Sequence, residues 1–365
     1  MSRTETFFLN KETLVVKIIR QWFNRYFSDP EAVLLSCILI LGFGLVFLFG
    51  GILAPVLVSL VFAYLLEWVV KRLQKLNIPR LPAVLIVFIG FLALFLLAIF
   101  FIMPLIWHQL VALFQDLPTM LTKGEKILLE YTNKYPEILS PDQLQEVASS
   151  AVSDVRVWGK AGLAASIFYI SSVLTWLVYL VLMPLLLFFF LKDKDQILKW
   201  LSGFLPRKRG VLRQVSREVN DQIGNYIRGK IFEIIIVGIV TYIAFWFFGL
   251  QYAALLGFLV GLSVLIPYVG IVVVSIPVIL VAYLQWGFNS PFGYFLIVYA
   301  LIQGLDANLL VPVLFSEAVN LHPVAIIVAT LFFGGIWGFW GIFFAIPLAT
   351  LIKAVINAWP KHSEA

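Results

Sequence analysis

A chain of 365 residues that is 62% hydrophobic and 13% charged is not built like a soluble domain, where charged residues make up about 25%. The net charge of +6 would suit an anionic partner, but the basic residues lack aromatic interleaving and adjoin apolar runs, which argues for a membrane surface and against nucleic acid. A single cysteine, Cys37, excludes an intramolecular disulfide, and histidines at 108, 322 and 362 form no cluster for a metal.

Residues 1–30 form a polar tail of mixed charge with no cleavable signal peptide evident, so the first apolar segment should act as an uncleaved anchor. A span needs about 20 apolar residues to cross about 30 Å of hydrocarbon. Residues 31–50 and 52–70 read as two spans joined by a tight Gly50-Gly51 turn, and 81–107 as a third. Residues 108–162 carry seven acids against five Lys/Arg and suit the outer, periplasmic side, with helices expected over 106–133 and 141–160. Residues 163–191 form a fourth apolar run containing Pro184.

The block 192–230 carries ten Lys/Arg against four acids, which places it in the cytoplasm. Within it Val211, Val215, Val219, Ile223 and Ile227 recur every four residues, the pattern of a basic amphipathic helix that contacts lipid headgroups or another helix. Glu233, just past this block, would pair with Arg228 or Lys230.

From 231 to 357 four further apolar runs follow: 231–249, 253–286 broken at Pro267-Tyr268-Val269-Gly270, 293–314, and 323–357 broken by Gly334, Gly335, Gly338 and Gly341. Arms of about ten residues reach only about 15 Å, so the broken runs read as re-entrant hairpins. The fold expected is therefore an all-α polytopic membrane protein with about eight apolar membrane segments. Its C-terminal half would form two inverted repeats, each a helix plus a re-entrant hairpin, and amphipathic helices would lie outside the membrane. Counting each hairpin as two full spans also keeps both termini, including the tail 358–365, in the cytoplasm.

Asp306 is the sharpest candidate for function. An acid deep in an apolar span costs roughly 3 kcal/mol or more and usually faces a partner or a water-filled path. Gln303 stands three residues before it, and Gly304 and Asn308 are spaced to share a helical face. Pro312 has no N–H to donate, which frees the Asn308 carbonyl. Such a set would serve a proton, a monovalent cation or a polar solute; the alternative is an interhelical clamp without a transport role. The breaks supply further candidates: Pro267, Tyr268 and Gly270 in the first, and Gly334, Gly335 and Gly338 in the second, where close helix packing is the competing explanation. His322, beside Pro323, is either a helix cap or a site residue. No Walker A, HExxH or GxSxG motif occurs, so ATP hydrolysis, metalloprotease and serine-hydrolase chemistry lack their residues, and neither an enzyme activity nor a cofactor is expected.

The residues Tyr226-x-x-Gly229, Ile266-Pro267-Tyr268-x-Gly270, Gln303-x-x-Asp306-x-Asn308, Pro312, Leu321-His322-Pro323, Gly334-Gly335-x-x-Gly338-x-x-Gly341 and Pro347 followed by Lys353 mark a resemblance. Over about residues 31–357 the chain resembles the autoinducer-2 exporter family of bacterial inner-membrane permeases. It departs at Lys230, where that family often has an uncharged glutamine. The resemblance implies export of a signalling molecule for some members and cation/proton exchange for others. The function expected is secondary-active export of a small polar solute by movement of the C-terminal half, with lipids as neighbours and homo-oligomerisation through the N-terminal spans. The alternatives are a sodium/proton antiporter and a non-transporting membrane scaffold.

Overall fold

The computed structural model describes residues 30–134, 173–204, 210–315 and 321–358. The expected helix over 141–160, the start of the 163–191 run, residues 205–209 of the basic block and both termini lie outside the described residues. Among those described, every regular element is helical. In chain order these are α1 (Pro30–Lys75), α2 (Arg80–Leu97), α3 (Met103–Lys134), α4 (Val173–Lys192), α5 (Lys194–Gly203) and α6 (Gly210–Phe247). They continue with α7 (Ala253–Ser263), α8 (Val269–Trp286), α9 (Ser290–Leu305), α10 (Val311–Phe315), α11 (Pro323–Trp337) and α12 (Phe339–Ala358). Two π turns, Ala98–Ile102 and Asp306–Leu310, link α2 to α3 and α9 to α10.

Among the described residues, five stretches are long and apolar enough to cross a membrane: Ile52–Lys75, Arg80–Gly124, Val215–Phe247, Val269–Trp286 and Ser290–Phe315. Five shorter apolar helices accompany them. One expectation fails outright. The chain does not turn at Gly50-Gly51 but stays helical from Pro30 to Lys75, a run of 46 residues. Two glycines weaken a helix by about 1 kcal/mol each, which is not enough to break it. A turn between apolar arms would also expose backbone groups that nothing nearby satisfies. The amphipathic stretch 211–227 likewise runs into the following span as the single helix α6. Val215 and Ile227 of its stripe are buried, whereas Arg217 is exposed.

The chain divides into two compact units: residues 1–58, 193–225 and 317–365 in one, and 59–192 and 226–316 in the other. In the second unit, Ala63, Val70, Ala83, Val84 and Leu187 pack α1, α2 and α4 together. The Ser59 hydroxyl donates to the Met183 carbonyl at 2.9 Å, and Arg80 donates to the Leu191 carbonyl at 2.8 Å. A larger cluster gathers Leu256, Val260, Val278, Phe295 and Tyr299 from α7, α8 and α9 with Ile106 of α3 and Val237 and Phe245 of α6.

Helix α7 is buried along its length but has only 11 residues, about 16 Å of rise. Side chains hold its N-terminal end. Tyr252, at φ 58°, donates its hydroxyl to Asp116 of α3, and the Gln109 side chain accepts from Leu255 N–H at 2.8 Å. Gln285 accepts from Gln251 N–H and donates to the Gly249 carbonyl, both at 2.8 Å. Burial first, and then Asp116, hold the Tyr252 hydroxyl above its ordinary pKa.

The turn from α7 to α8 depends on Gly270, where a Cβ would fall 1.8 Å from the Ser263 carbonyl oxygen. In the first unit, α11 and α12 form a hairpin around Ala329, Phe333 and Ala345. Its turn uses Gly338 at φ 58° and ψ −132°, and a Cβ on Gly341 would fall 1.8 Å from the Phe333 carbonyl oxygen. Both hairpins thus reverse by letting a glycine backbone seat against the last turn of the preceding helix.

Candidate functional site

Helix α9 and the π turn that continues it carry Tyr299, Gln303 and Asp306 at i, i+4 and i+7, one polar stripe on a mostly apolar run. The stripe begins beside α8. Ser275 spends its single proton on the Ile271 carbonyl at 2.7 Å, so at the 2.8 Å contact with Tyr299 the tyrosine hydroxyl is the donor. Ser275 also lines an apolar groove of about 770 Å³ walled by Ile271, Ile276, Ile279 and Phe292. Gln303 lies beside Tyr299, close enough for its amide to act on the tyrosine hydroxyl, although its buried Nε2 makes no hydrogen bond of regular geometry.

At Asp306 the helix widens into a π turn, with Val311 N–H donating to the Asp306 carbonyl. The other π turn has the same relation to a proline: Met103 N–H donates to the Ala98 carbonyl, and Pro104 follows as Pro312 follows Val311. Proline supplies no N–H and its ring crowds the carbonyl four residues back, so the turn before it gains from widening. The chain's other intrahelical prolines, such as Pro184 and Pro277, sit in ordinary α-helix, so the proline permits the π turn without compelling it. π turns recur at functional sites because they redirect side chains.

Asp306 Oδ1 is buried and unpartnered. The charges that reach it come from α6. Lys230 attracts it, and Glu233 repels it. Lys230 Nζ donates to Glu233 Oε2 at 2.8 Å, and the two residues are 6% and 2% exposed. The Lys230 ammonium also lies over the Phe315 ring, 5.3 Å from its centre. That ring is seated by Tyr226, at 5.7 Å between centroids, and by Gly229, where a Cβ would come within 2.9 Å of it. The Tyr226-x-x-Gly229 pair is therefore the seat for the end of α10.

The structure thus gathers Gln303 and Asp306 with Lys230, Glu233, Tyr299 and Ser275. Asn308 stands apart: it is exposed and turns back to donate to the Gly304 carbonyl at 2.8 Å, one turn along its own helix. Pro312 is exposed and acts through the backbone. Pro267, Tyr268 and Gly270 form the α7–α8 turn, with Tyr268 59% exposed at φ 63°. Gly334, Gly335 and Gly338 belong to the α11–α12 hairpin; a Cβ on Gly335 would meet nothing within 4 Å. His322 caps α11, its Nδ1 accepting from Val324 N–H at 3.3 Å.

Sequence reasoning found Glu233 and Lys230 but joined neither to Asp306, and it missed Tyr299 and Ser275. The i, i+4 spacing from Tyr299 to Gln303 was the signal for the tyrosine. Ser275 carries none, because its partner is distant in sequence. No group of three or more His, Cys, Asp or Glu fit to hold a metal occurs among the described residues.

Residues 35–361 match the family model described as AI-2E family transporter. The chain belongs to the AI-2E transporter family. It is 50% identical over 346 residues to "Putative permease PerM" of Escherichia coli strain K12, which covers 95% of this chain and 98% of the relative. It is 27% identical over 308 residues to "Putative transport protein YrrI" of Bacillus subtilis strain 168, covering 84% and 86%. AI-2E membership makes the chain a membrane protein of a transporter family, in keeping with its apolar helices.

Proposed function

We propose that this AI-2E family member exports a small polar solute, of the autoinducer-2 type, across the bacterial inner membrane by alternating access. Its moving part is the C-terminal half, residues 231–357, and Asp306 couples movement to transport. The carrying observation is the buried, unpartnered Asp306 Oδ1, one turn after Gln303 in an otherwise apolar run. Buried polar groups are nearly always satisfied, so a carboxylate oxygen left open in an apolar run is suited to a guest.

Charge counting supports the coupling role. Glu233 and Asp306 offer two carboxylates against one ammonium, Lys230. An uncompensated buried charge costs several kcal/mol, so the cluster gains by taking up a positive charge, and a proton is the smallest. The lengths of the arms support re-entrant hairpins at α7–α8 and α11–α12, since α7 covers about half the hydrocarbon thickness. In this reading both termini and the basic block 192–230 face the cytoplasm, residues 108–162 face the periplasm, and copies associate through the N-terminal spans.

The test is flux through purified protein in proteoliposomes, measured over a panel of small polyols, hydroxyketones and organic acids. Saturable flux by the wild type that is lost in Asp306→Asn supports the reading. Absence of flux for every solute and every ion gradient would leave a membrane scaffold.

A further inference from the structure

We infer that the Lys230 ammonium is a built-in cation that occupies the place a monovalent metal ion would take between Glu233 and Asp306, so that this site is closed to sodium. The inference rests on reading Asp306 as the coupling residue and adds to it which ion the cluster can accept.

Two contacts hold the ammonium, and a third charge acts on it from farther away. Glu233 Oε2 accepts from Nζ at 2.8 Å, the Phe315 ring faces it at 5.3 Å, and Asp306 attracts it from the π turn after α9. Lys230 is 6% exposed and its partner Glu233 2%, so neither charge is shared with water. A charged group this deep needs a counter-charge, and here the chain supplies both signs within one turn of α6.

A sodium ion entering the same space would have to displace the ammonium from Glu233 or sit beside it. Displacement would strip a buried lysine of its carboxylate. Coexistence would set two positive charges a few ångströms apart where water does not screen them. Sodium also needs several oxygen ligands, and the carboxylate oxygen nearest the ammonium is already engaged. A proton on Asp306 meets neither obstacle, because it adds no ligand demand and neutralises the one carboxylate that Lys230 does not.

Among the described residues, two tyrosines are the other ionisable groups recorded at the cluster. Tyr226 on α6 lies within electrostatic reach of Glu233 and packs against Phe315. Tyr299 on α9 is bonded to Ser275. Neither supplies a second cation. Removal of the lysine charge should therefore convert the cluster. With a neutral side chain at 230, two electrostatically coupled carboxylates lose the ammonium between their charges, and sodium becomes the natural occupant.

The experiment measures binding and needs no transported solute. Purified full-length protein in detergent at neutral pH is melted in sodium chloride and in choline chloride at equal ionic strength, and binding of radioactive sodium is measured in parallel. For the wild type, Tm should be the same in both salts and no saturable sodium binding should appear. Lys230→Gln should show a sodium-specific rise in Tm and saturable sodium binding, and the double variant Lys230→Gln, Glu233→Gln should lose both. Saturable sodium binding by the wild type that disappears in Asp306→Asn would overturn the inference. So would a folded Lys230→Gln protein indifferent to sodium. Should Lys230→Gln fail to fold in either salt, Lys230→Met is melted in its place, and the wild-type sodium measurement still decides. A protein that moves no solute at all would refute the transport reading and leave these binding results standing.

Discussion

Lys230 Nζ lies 2.8 Å from Glu233 Oε2, one turn apart on the same helix, and both residues are nearly sealed from solvent. Surface pairs at this spacing contribute a few tenths of a kcal/mol. A sealed pair behaves differently, because each member exists as a charge only through the other. The pair also positions the charges that Asp306 meets from α6, so stability and function converge on the same two side chains.

Breaking that pair from one side should be costly. Glu233→Gln leaves a buried ammonium with Asp306 as its remaining acidic neighbour and is expected to destabilise by about 3 kcal/mol. The double variant with Lys230→Gln should recover part of the loss in choline salts, since no buried ammonium is then stranded. Melts of the single and double variants by intrinsic fluorescence check this, and an additive double variant would show the pair to be energetically idle.

The two hairpin glycines should be intolerant of a methyl group, whereas a neighbouring glycine should accept one. Gly270→Ala and Gly341→Ala each drive a Cβ to 1.8 Å from a backbone carbonyl oxygen, so the turn must shift. About 2–3 kcal/mol or failure to fold is expected. Gly335→Ala meets nothing within 4 Å on a helical backbone and should leave Tm unchanged or slightly higher. Expression and monodispersity of the three variants separate the classes. Equal tolerance at 335 and 341 would contradict the packing described for the α11–α12 turn.

Much of this was legible in the sequence, and the exceptions have physical causes. Breaks at Pro267–Gly270 and Gly334–Gly341 could be read because proline and glycine mark reversal between apolar arms, and the structure turns at both. Gly50-Gly51 misled because glycine alone does not say whether a helix ends; α1 continues through both residues. Asp306 was visible as an acid in an apolar run. Its relation to Lys230 and Glu233 was not, since it depends on how α9 packs on α6, some 70 residues earlier. Asn308 was drawn in by spacing, but the π turn alters the facing of residues after 306, and its amide instead serves its own helix.

Tyr252 should act as a fastener for the short helix α7. Tyr252→Phe removes the hydroxyl that donates to Asp116 and should lower stability by about 1 kcal/mol, since Asp116 is exposed and water replaces the lost donor. A folded-state pKa raised above the ordinary tyrosine value means the hydroxyl keeps its proton wherever the unfolded chain also keeps it. The deficit should therefore be constant between about pH 6 and pH 9 and narrow only above about pH 10, where the unfolded chain ionises and the wild type loses this stability. Melts of wild type and variant over that range check the sign. A deficit that vanishes near neutral pH would place the proton elsewhere.

The claim that Asp306 couples transport is tested most directly by flux across a pH series in proteoliposomes, comparing wild type with Asp306→Asn at matched insertion. Asparagine preserves the shape and much of the hydrogen bonding of the side chain but cannot exchange a proton. The expected result is wild-type flux that responds to an imposed proton gradient, and an Asp306→Asn protein that is folded and monodisperse yet shows no gradient-driven flux at any pH. Full activity of Asp306→Asn across the series would contradict the account and leave Asp306 as a structural clamp between helices.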